Sequence, residues 1–148
     1  MVKSSVDLER QLGVIYPSKP GRMPDMDVKA FFKTAWRWQL GRQGTGYEKC
    51  LLLTGWWPKP FDLYLLRYRP GHGIPPHRDP VPNGRHFRAN LILCRGKSGG
   101  AFACQSPLFA SSRLFVFRSD LSEHSVEPMV SGTRYVLSLG WILKDAAR

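Results

Sequence analysis

Two hydrophobic rhythms follow one another along the chain. Asp25 or Asp27 can cap a helix. After them Val28, Phe31, Phe32, Ala35 and Trp36 recur at intervals of three and four, which predicts a one-sided helix running to about Leu40. Trp38 and Leu40 broaden the stripe, and Gly41, Gly44 and Gly46 close it. Weaker helical hints cover 6–12, followed by a loop rich in Pro, Gly and Lys over 16–24. An aromatic stripe of this kind is more often core than binding surface, so it reads as a helix laid on a sheet.

From residue 50 the period shortens to two. A short apolar segment over 50–57 ends at Pro58 and Pro60. Over 61–69, Asp62, Tyr64, Leu66 and Tyr68 share one face, with Phe61, Leu63, Leu65, Arg67 and Arg69 on the other. Further strand-like runs cover 86–95, 100–104, 113–118, 124–128 and 134–143. They are separated by turn residues such as Pro82-Asn83-Gly84 and Lys97-Ser98-Gly99-Gly100. Short strands between such turns predict an antiparallel sandwich or jelly roll. No repeat or linker divides the chain. The expectation is a mainly β single domain over 1–148 with N-terminal helices: a helical support region over 1–57 and a jelly-roll body over 58–143.

Composition adds limits. With 43% apolar and 22% charged residues the chain suits a packed core. No apolar run approaches a membrane span, and the first residues lack the apolar centre of a signal peptide. A cytoplasmic monomer with no membrane partner is expected. Cys50, Cys94 and Cys104 show no metal-type spacing and read as reduced, mostly buried thiols. The net charge of +11 favours anionic partners, nucleic acid first among them. The basic residues are scattered, however, and a plain solvated basic surface explains them equally well.

The candidate chemistry centres on His77-Arg78-Asp79. Side chains two apart on an extended segment face the same way, so His77 and Asp79 can reach one metal ion together. His124 lies downstream, and Arg134 opens a strongly alternating run in which Arg134, Val136 and Ser138 share a face. Two histidines and one carboxylate form the ligand set of non-heme Fe(II) oxygenases. An inward arginine is costly to bury without an anion, and its planar fork matches a carboxylate. The tripeptide His77-Arg78-Asp79 also spells part of a protein-kinase catalytic loop. That pattern needs an asparagine five positions past the aspartate, whereas Asn83 stands four past Asp79, and no Asp-Phe-Gly follows.

These pieces carry a family resemblance. Tyr68-Arg-Pro-Gly-His-Gly73, His77-Arg-Asp-Pro-Val-Pro-Asn-Gly84, Gly99-Gly100, the run from Arg113 to Asp120, His124-Ser-Val-Glu-Pro128 and Arg134-Tyr-Val-Leu-Ser-Leu-Gly-Trp141 resemble, in order, the core of the Fe(II)- and 2-oxoglutarate-dependent dioxygenases. They are most similar to the prolyl-hydroxylase branch. The N-terminal third shows no such likeness. The resemblance implies a double-stranded β-helix with Fe(II) held by His77, Asp79 and His124. It implies 2-oxoglutarate bound at its far carboxylate by Arg134, with Ser138, Tyr68 and Asn90 in the same pocket, and dioxygen as the oxidant. Gly140 departs from the close look-alikes, which often carry a bulky aromatic there, and predicts a roomier pocket.

The activity so implied is hydroxylation of a C–H bond with decarboxylation of 2-oxoglutarate to succinate and CO2. The expected substrate is an amino-acid side chain, in a protein or free. Two alternatives stay open: a nucleic-acid base hydroxylase using the basic surface, and a non-catalytic module binding 2-oxoglutarate and iron. Dealkylation repair enzymes of this fold usually carry a second arginine shortly after the first, and none follows Arg134 before Trp141. A cupin-type metal protein would need further histidines and a glutamate that cannot be placed. His72, between two glycines, and Arg78 and Arg88 by the metal loop are candidate substrate contacts. His86 reads as a solvent or loop histidine, and Trp56 and Trp57 as packing residues.

Overall fold

The computed structural model describes residues 35–56 and 58–145, which fall in one compact unit over 34–148. The hints at 6–12, the predicted helix up to residue 34, and Trp57 lie outside the described residues. Every regular element among the described residues is a strand. The order is β1 (Trp38–Leu40), β2 (Glu48–Gly55), β3 (Phe61–Tyr68), β4 (Ile74–His77), β5 (Arg85–Cys94) and β6 (Ser98–Gly99). There follow β7 (Phe102–Cys104), β8 (Pro107–Ala110), β9 (Leu114–Arg118), β10 (His124–Val126), β11 (Met129–Ser131) and β12 (Arg134–Leu143). No described helix is long and apolar enough to cross a membrane.

The strands form a jelly roll. A seven-stranded sheet runs β1-β2-β3-β12-β5-β9-β8, a three-stranded sheet runs β4-β10-β7, and β11 pairs with β6. Alternation along β12 decides the inner face. Arg134, Val136, Ser138 and Ile142 are buried there at 5% exposure or less, while Tyr135, Leu137 and Leu139 face outward. Antiparallel register sets Arg134 opposite Tyr68, Val136 opposite Leu66, Ser138 opposite Tyr64, and Gly140 opposite Asp62. A slip of one residue would turn every one of these outward.

The core joins the two main sheets. Tyr47, Tyr68, Ile92, Val126, Met129 and Val136 cluster, with Leu66, Ile74, Phe102 and Phe115 packed against them. Strands of three or four residues pair too briefly to be stable alone. Each apolar side chain buried here contributes about 1.5–3 kcal/mol, so packing, more than ladder hydrogen bonds, fixes the small sheet on the large one.

The predicted helix does not reach Leu40. Trp36 takes a φ of 62°, a left-handed value that a continuing helix does not allow. Beyond it Trp38, Gln39 and Leu40 pair with Cys50, Lys49 and Glu48, and the Arg67 guanidinium lies 4.0 Å over the Trp38 ring. Tertiary pairing overrides the local stripe. β1 and β2 therefore add strands within the stretch expected to be helical support. The cysteines are free, and Cys94 is exposed where burial is expected, because a register shift after Ile92 pairs it with the outward-facing Tyr135.

Candidate metal centre

Strand β4 ends on His77 and β10 begins on His124, and the two are direct partners across the small sheet. Their ring centroids are 4.3 Å apart, tilted by 52°. Asp79 follows two residues after His77, its amide fixed by the Ser119 carbonyl at 2.8 Å. The Asp79 carboxylate spans the rings: Oδ1 lies 3.6 Å from His77 Nε2, and Oδ2 lies 3.7 Å from His124 Nε2. One donor atom from each of the three lies within 4.8 Å of the others.

The hydrogen bonds behind the rings decide what this cluster can hold. His77 Nδ1 meets the Pro75 carbonyl at 2.9 Å, and His124 Nδ1 meets the Ser122 carbonyl at 3.0 Å. A carbonyl only accepts, so each Nδ1 carries a hydrogen and each Nε2 is the nitrogen left to face the carboxylate. Histidine metal ligands are oriented in this way. Bonds of about 2.0–2.2 Å to a metal place neighbouring donors roughly 3–3.5 Å apart, a small contraction from the 3.6 and 3.7 Å of the two histidine–carboxylate pairs. Burial keeps the pKa of His124 low; His77 and Arg88 push the same way, against the Ser122 hydrogen bond and Asp79. Phe117 packs 4.8 Å from the His124 ring. The residues fit a divalent ion.

A cavity opens from the triad onto the large sheet. Tyr68, Asn90, Ser138 and Arg88, each singled out in the sequence, line it together with His77, Asp79 and His124. Tyr68 is 2% exposed and stacks on Tyr47 at 5.5 Å, and burial raises its hydroxyl pKa. Asn90 Oδ1 is buried without a partner. Arg134 sits opposite Tyr68, also buried, but it is not among the lining residues. Its Nη1 donates to the Gly100 carbonyl, and its Nε has no partner. His72 and Arg78 also lie outside the lining. Arg78 is exposed, and the His72 ring fills the space a Cβ on Gly46 would need.

Two expectations are corrected here. Gly140 does not leave the pocket roomier, because the Asp62–Arg88 ion pair fills the space. A Cβ at Gly140 would stand 2.8 Å from Asp62 Oδ1 and 3.2 Å from Arg88 Cζ. Arg88 Nη1 donates to Asp62 at 3.3 Å and to Ser138 Oγ at 3.1 Å, and its Nε lies 3.8 Å from Asp79. Nor is His86 a solvent histidine. It is 6% exposed, with Nδ1 2.8 Å from Ser119 Oγ. Burial, aided by Arg88, drops its pKa to about 4.

Sequence reasoning missed Arg42, Lys49 and Tyr64, which also line the cavity. Alternation placed Tyr64 on the Tyr68 face. Nothing local marked Lys49, because β2 was not expected to begin before residue 50.

Comparisons with known proteins bear on this architecture. No family model matches the chain, and no curated protein matches its sequence. Among solved structures it is similar to a Pseudomonas putida prolyl-4-hydroxylase, with a TM-score of 0.57 and 18% identity over 82% of this chain and 85% of that one. That likeness is one of fold. KdgF from a Halomonas species (TM-score 0.48, 16% identity, 74% of this chain and 88% of that one) is more distant. So is the cupin domain of Schizosaccharomyces pombe Cnp3 (TM-score 0.46, 10% identity, 72% and 69%). Neither carries further weight.

Proposed function

We propose that the protein is an Fe(II)- and 2-oxoglutarate-dependent dioxygenase. It would hydroxylate a C–H bond of an amino-acid side chain, in a protein or free, with decarboxylation of 2-oxoglutarate to succinate and CO2. One observation carries this reading: both imidazoles commit Nδ1 to backbone carbonyls and turn Nε2 toward the same carboxylate. Two imidazoles and a carboxylate occupy one face of an ion and leave the opposite face for small ligands. Fe(II) bound there supplies the activation of dioxygen that the keto acid's oxidation drives.

The rest of the work belongs to the chain. His77, Asp79 and His124 hold the ion, and Arg88 steadies Asp79 from behind. Tyr68, Asn90 and Ser138 line the space the keto acid would enter, and Arg134 is the guanidinium that the family likeness nominates for its far carboxylate. Phe102 and Phe117 pack beside His124 and keep water from that side. The prolyl-4-hydroxylase of similar fold supports the amino-acid substrate class. The net charge of +11 favours a second reading, hydroxylation of a nucleic-acid base.

Anaerobic addition of Fe(II) and then 2-oxoglutarate should produce the weak visible charge-transfer band of a chelated keto acid, and no band counts against the reading. In air, products heavier by one oxygen atom should appear in lysate proteins and not in nucleic acid. The reverse result favours the base hydroxylase. Band without turnover on either leaves a binding module.

A further inference from the structure

One turn of the chain holds two of the three ligand residues. Between β9 and β10, the Ser119 carbonyl accepts from the Asp79 amide at 2.8 Å, and the Ser122 carbonyl meets His124 Nδ1 at 3.0 Å. Asp79 lies two residues beyond the end of β4, so the bond to Ser119 takes the place of a ladder partner. The turn also closes on itself. The Leu121 and Ser122 amides both return to the Arg118 carbonyl, at 3.3 and 2.8 Å, and Arg118 Nε donates to Asp120 at 3.2 Å. The spacing of Ser119 and Ser122 within it therefore sets how Asp79 is offset from His124.

His86 ties this turn to the large sheet. It is the second residue of β5, it is buried, and it lies outside the cavity lining. Its carbonyl accepts from the Ser119 amide at 3.0 Å, its amide donates to Asp120 Oδ1 at 3.2 Å, and its Nδ1 lies 2.8 Å from Ser119 Oγ. The first two contacts use its main chain, which most residues could supply. The third needs its side chain, and it joins two groups sealed from water, since Ser119 is 0% exposed. Stability does not explain such a pair, because an apolar pair of the same shape can be nearly neutral. What a hydrogen bond adds is direction: a satisfied buried pair specifies one arrangement. Here it fixes the rotation of Ser119, whose carbonyl carries Asp79.

We propose that His86 is a positioning residue for the metal centre. Through the Ser119 hydroxyl it sets the turn over 118–122, and through that turn the placement of the Asp79 carboxylate against the His124 ring. The proposal rests on the reading of His77, Asp79 and His124 as a divalent-metal site, and on no choice of cosubstrate or substrate.

Titration with Co(II), without oxygen, reads both affinity and geometry, the latter from the visible absorption of the bound ion. His86→Leu should weaken Co(II) binding by about 10–100-fold, the loss usual for an outer-shell partner, and should alter the band. Ser119→Ala should do the same. The double variant strands no hydroxyl, so it should unfold no earlier than His86→Leu, yet bind Co(II) no better and no worse than either single variant. His86→Asn, which can still reach the hydroxyl, should restore most of the affinity. If the two losses add, if the double variant regains wild-type affinity, or if His86→Asn binds as weakly as His86→Leu, His86 acts by filling space and the proposal fails. If both single variants match the wild type in affinity and band, the proposal fails while the metal centre stands. If the wild type takes up no Co(II), the centre falls as well. Circular dichroism and thermal unfolding of the metal-free variants confine the comparison to folded protein. Should His86→Leu not fold, Ser119→Ala and His86→Asn decide the matter: loss in the first with retention in the second supports the proposal, and any other result overturns it.

Discussion

The two walls of the cavity manage charge in opposite ways. On the small sheet, His77, Asp79 and His124 converge with their outer atoms fixed: both Nδ1 atoms by carbonyls, the Asp79 backbone by Ser119. What faces inward is two ring nitrogens and a carboxylate, a donor set suited to a cation. On the large sheet the surplus is positive. Arg88 is held between Asp62, Asp79 and Ser138, while Lys49 has the face of Tyr64 and no carboxylate among the described residues. An electron-donor cluster opposite a cationic wall suits a bound metal and an anionic ligand between them. The difference teaches that charge in this cavity is informative where it is unmatched. Arg88, though nearer the metal ligands, is largely accounted for by its neighbours, and Lys49 is not.

The comparison can be broken most directly on the small sheet. His124→Ala should lower divalent-metal affinity by more than about 100-fold, exceeding the loss usual for an outer-shell partner, while thermal unfolding of the metal-free protein changes little. A collapse of metal-free stability would make His124 a core residue instead. On the large sheet, Arg88→Met strands the Asp62 carboxylate and should cost about 3–5 kcal/mol in urea unfolding. Adding Asp62→Leu should recover part of that. No recovery would mean that Arg88 is held by packing and not by its pair.

His86 gives a pH signature. Its folded pKa of about 4 lies below the ordinary histidine value of 6.5, so between these the unfolded chain binds a proton that the folded chain refuses. Stability from this group is complete above about 6.5 and is lost as pH falls toward 4. His86→Asn, which can keep a bond to Ser119 Oγ, should flatten that slope in unfolding measured across the range. An unchanged slope would assign the acid loss elsewhere. The smallest effect sharpens the contrast between the walls: Lys49→Met should shift stability by less than about 1 kcal/mol in either direction, because it leaves no carboxylate stranded. A loss comparable to that of Arg88→Met would show that Lys49 is matched after all.

Much of the site was readable from the chain. The period-two pattern of β3 and β12 placed Tyr68, Arg134 and Ser138 on the buried face, and the His-x-Asp spacing with a distant histidine gave the triad that the structure gathers. Where reading failed, pairing partners were responsible. The stripe ending at Trp36 has helical spacing, yet Trp38–Leu40 is a strand because β2 offers an edge to pair with. Gly140 looked like a vacancy because its cross-strand partners, Asp62 on β3 and Arg88 on β5, are distant in sequence. His86 looked like a loop residue because Ser119, its partner, comes 33 positions later.

The sequence by itself determined which residues alternate inward and which side chains can ligate a metal, since both follow from local spacing and side-chain chemistry. Only the tertiary structure decided which cations meet a carboxylate: Asp62 goes to Arg88, Arg134 is met by the neutral Gly100 carbonyl, and Lys49 faces the cavity. Charge matching depends on distances across strands, and those are set by register and packing, which no single stretch of chain contains.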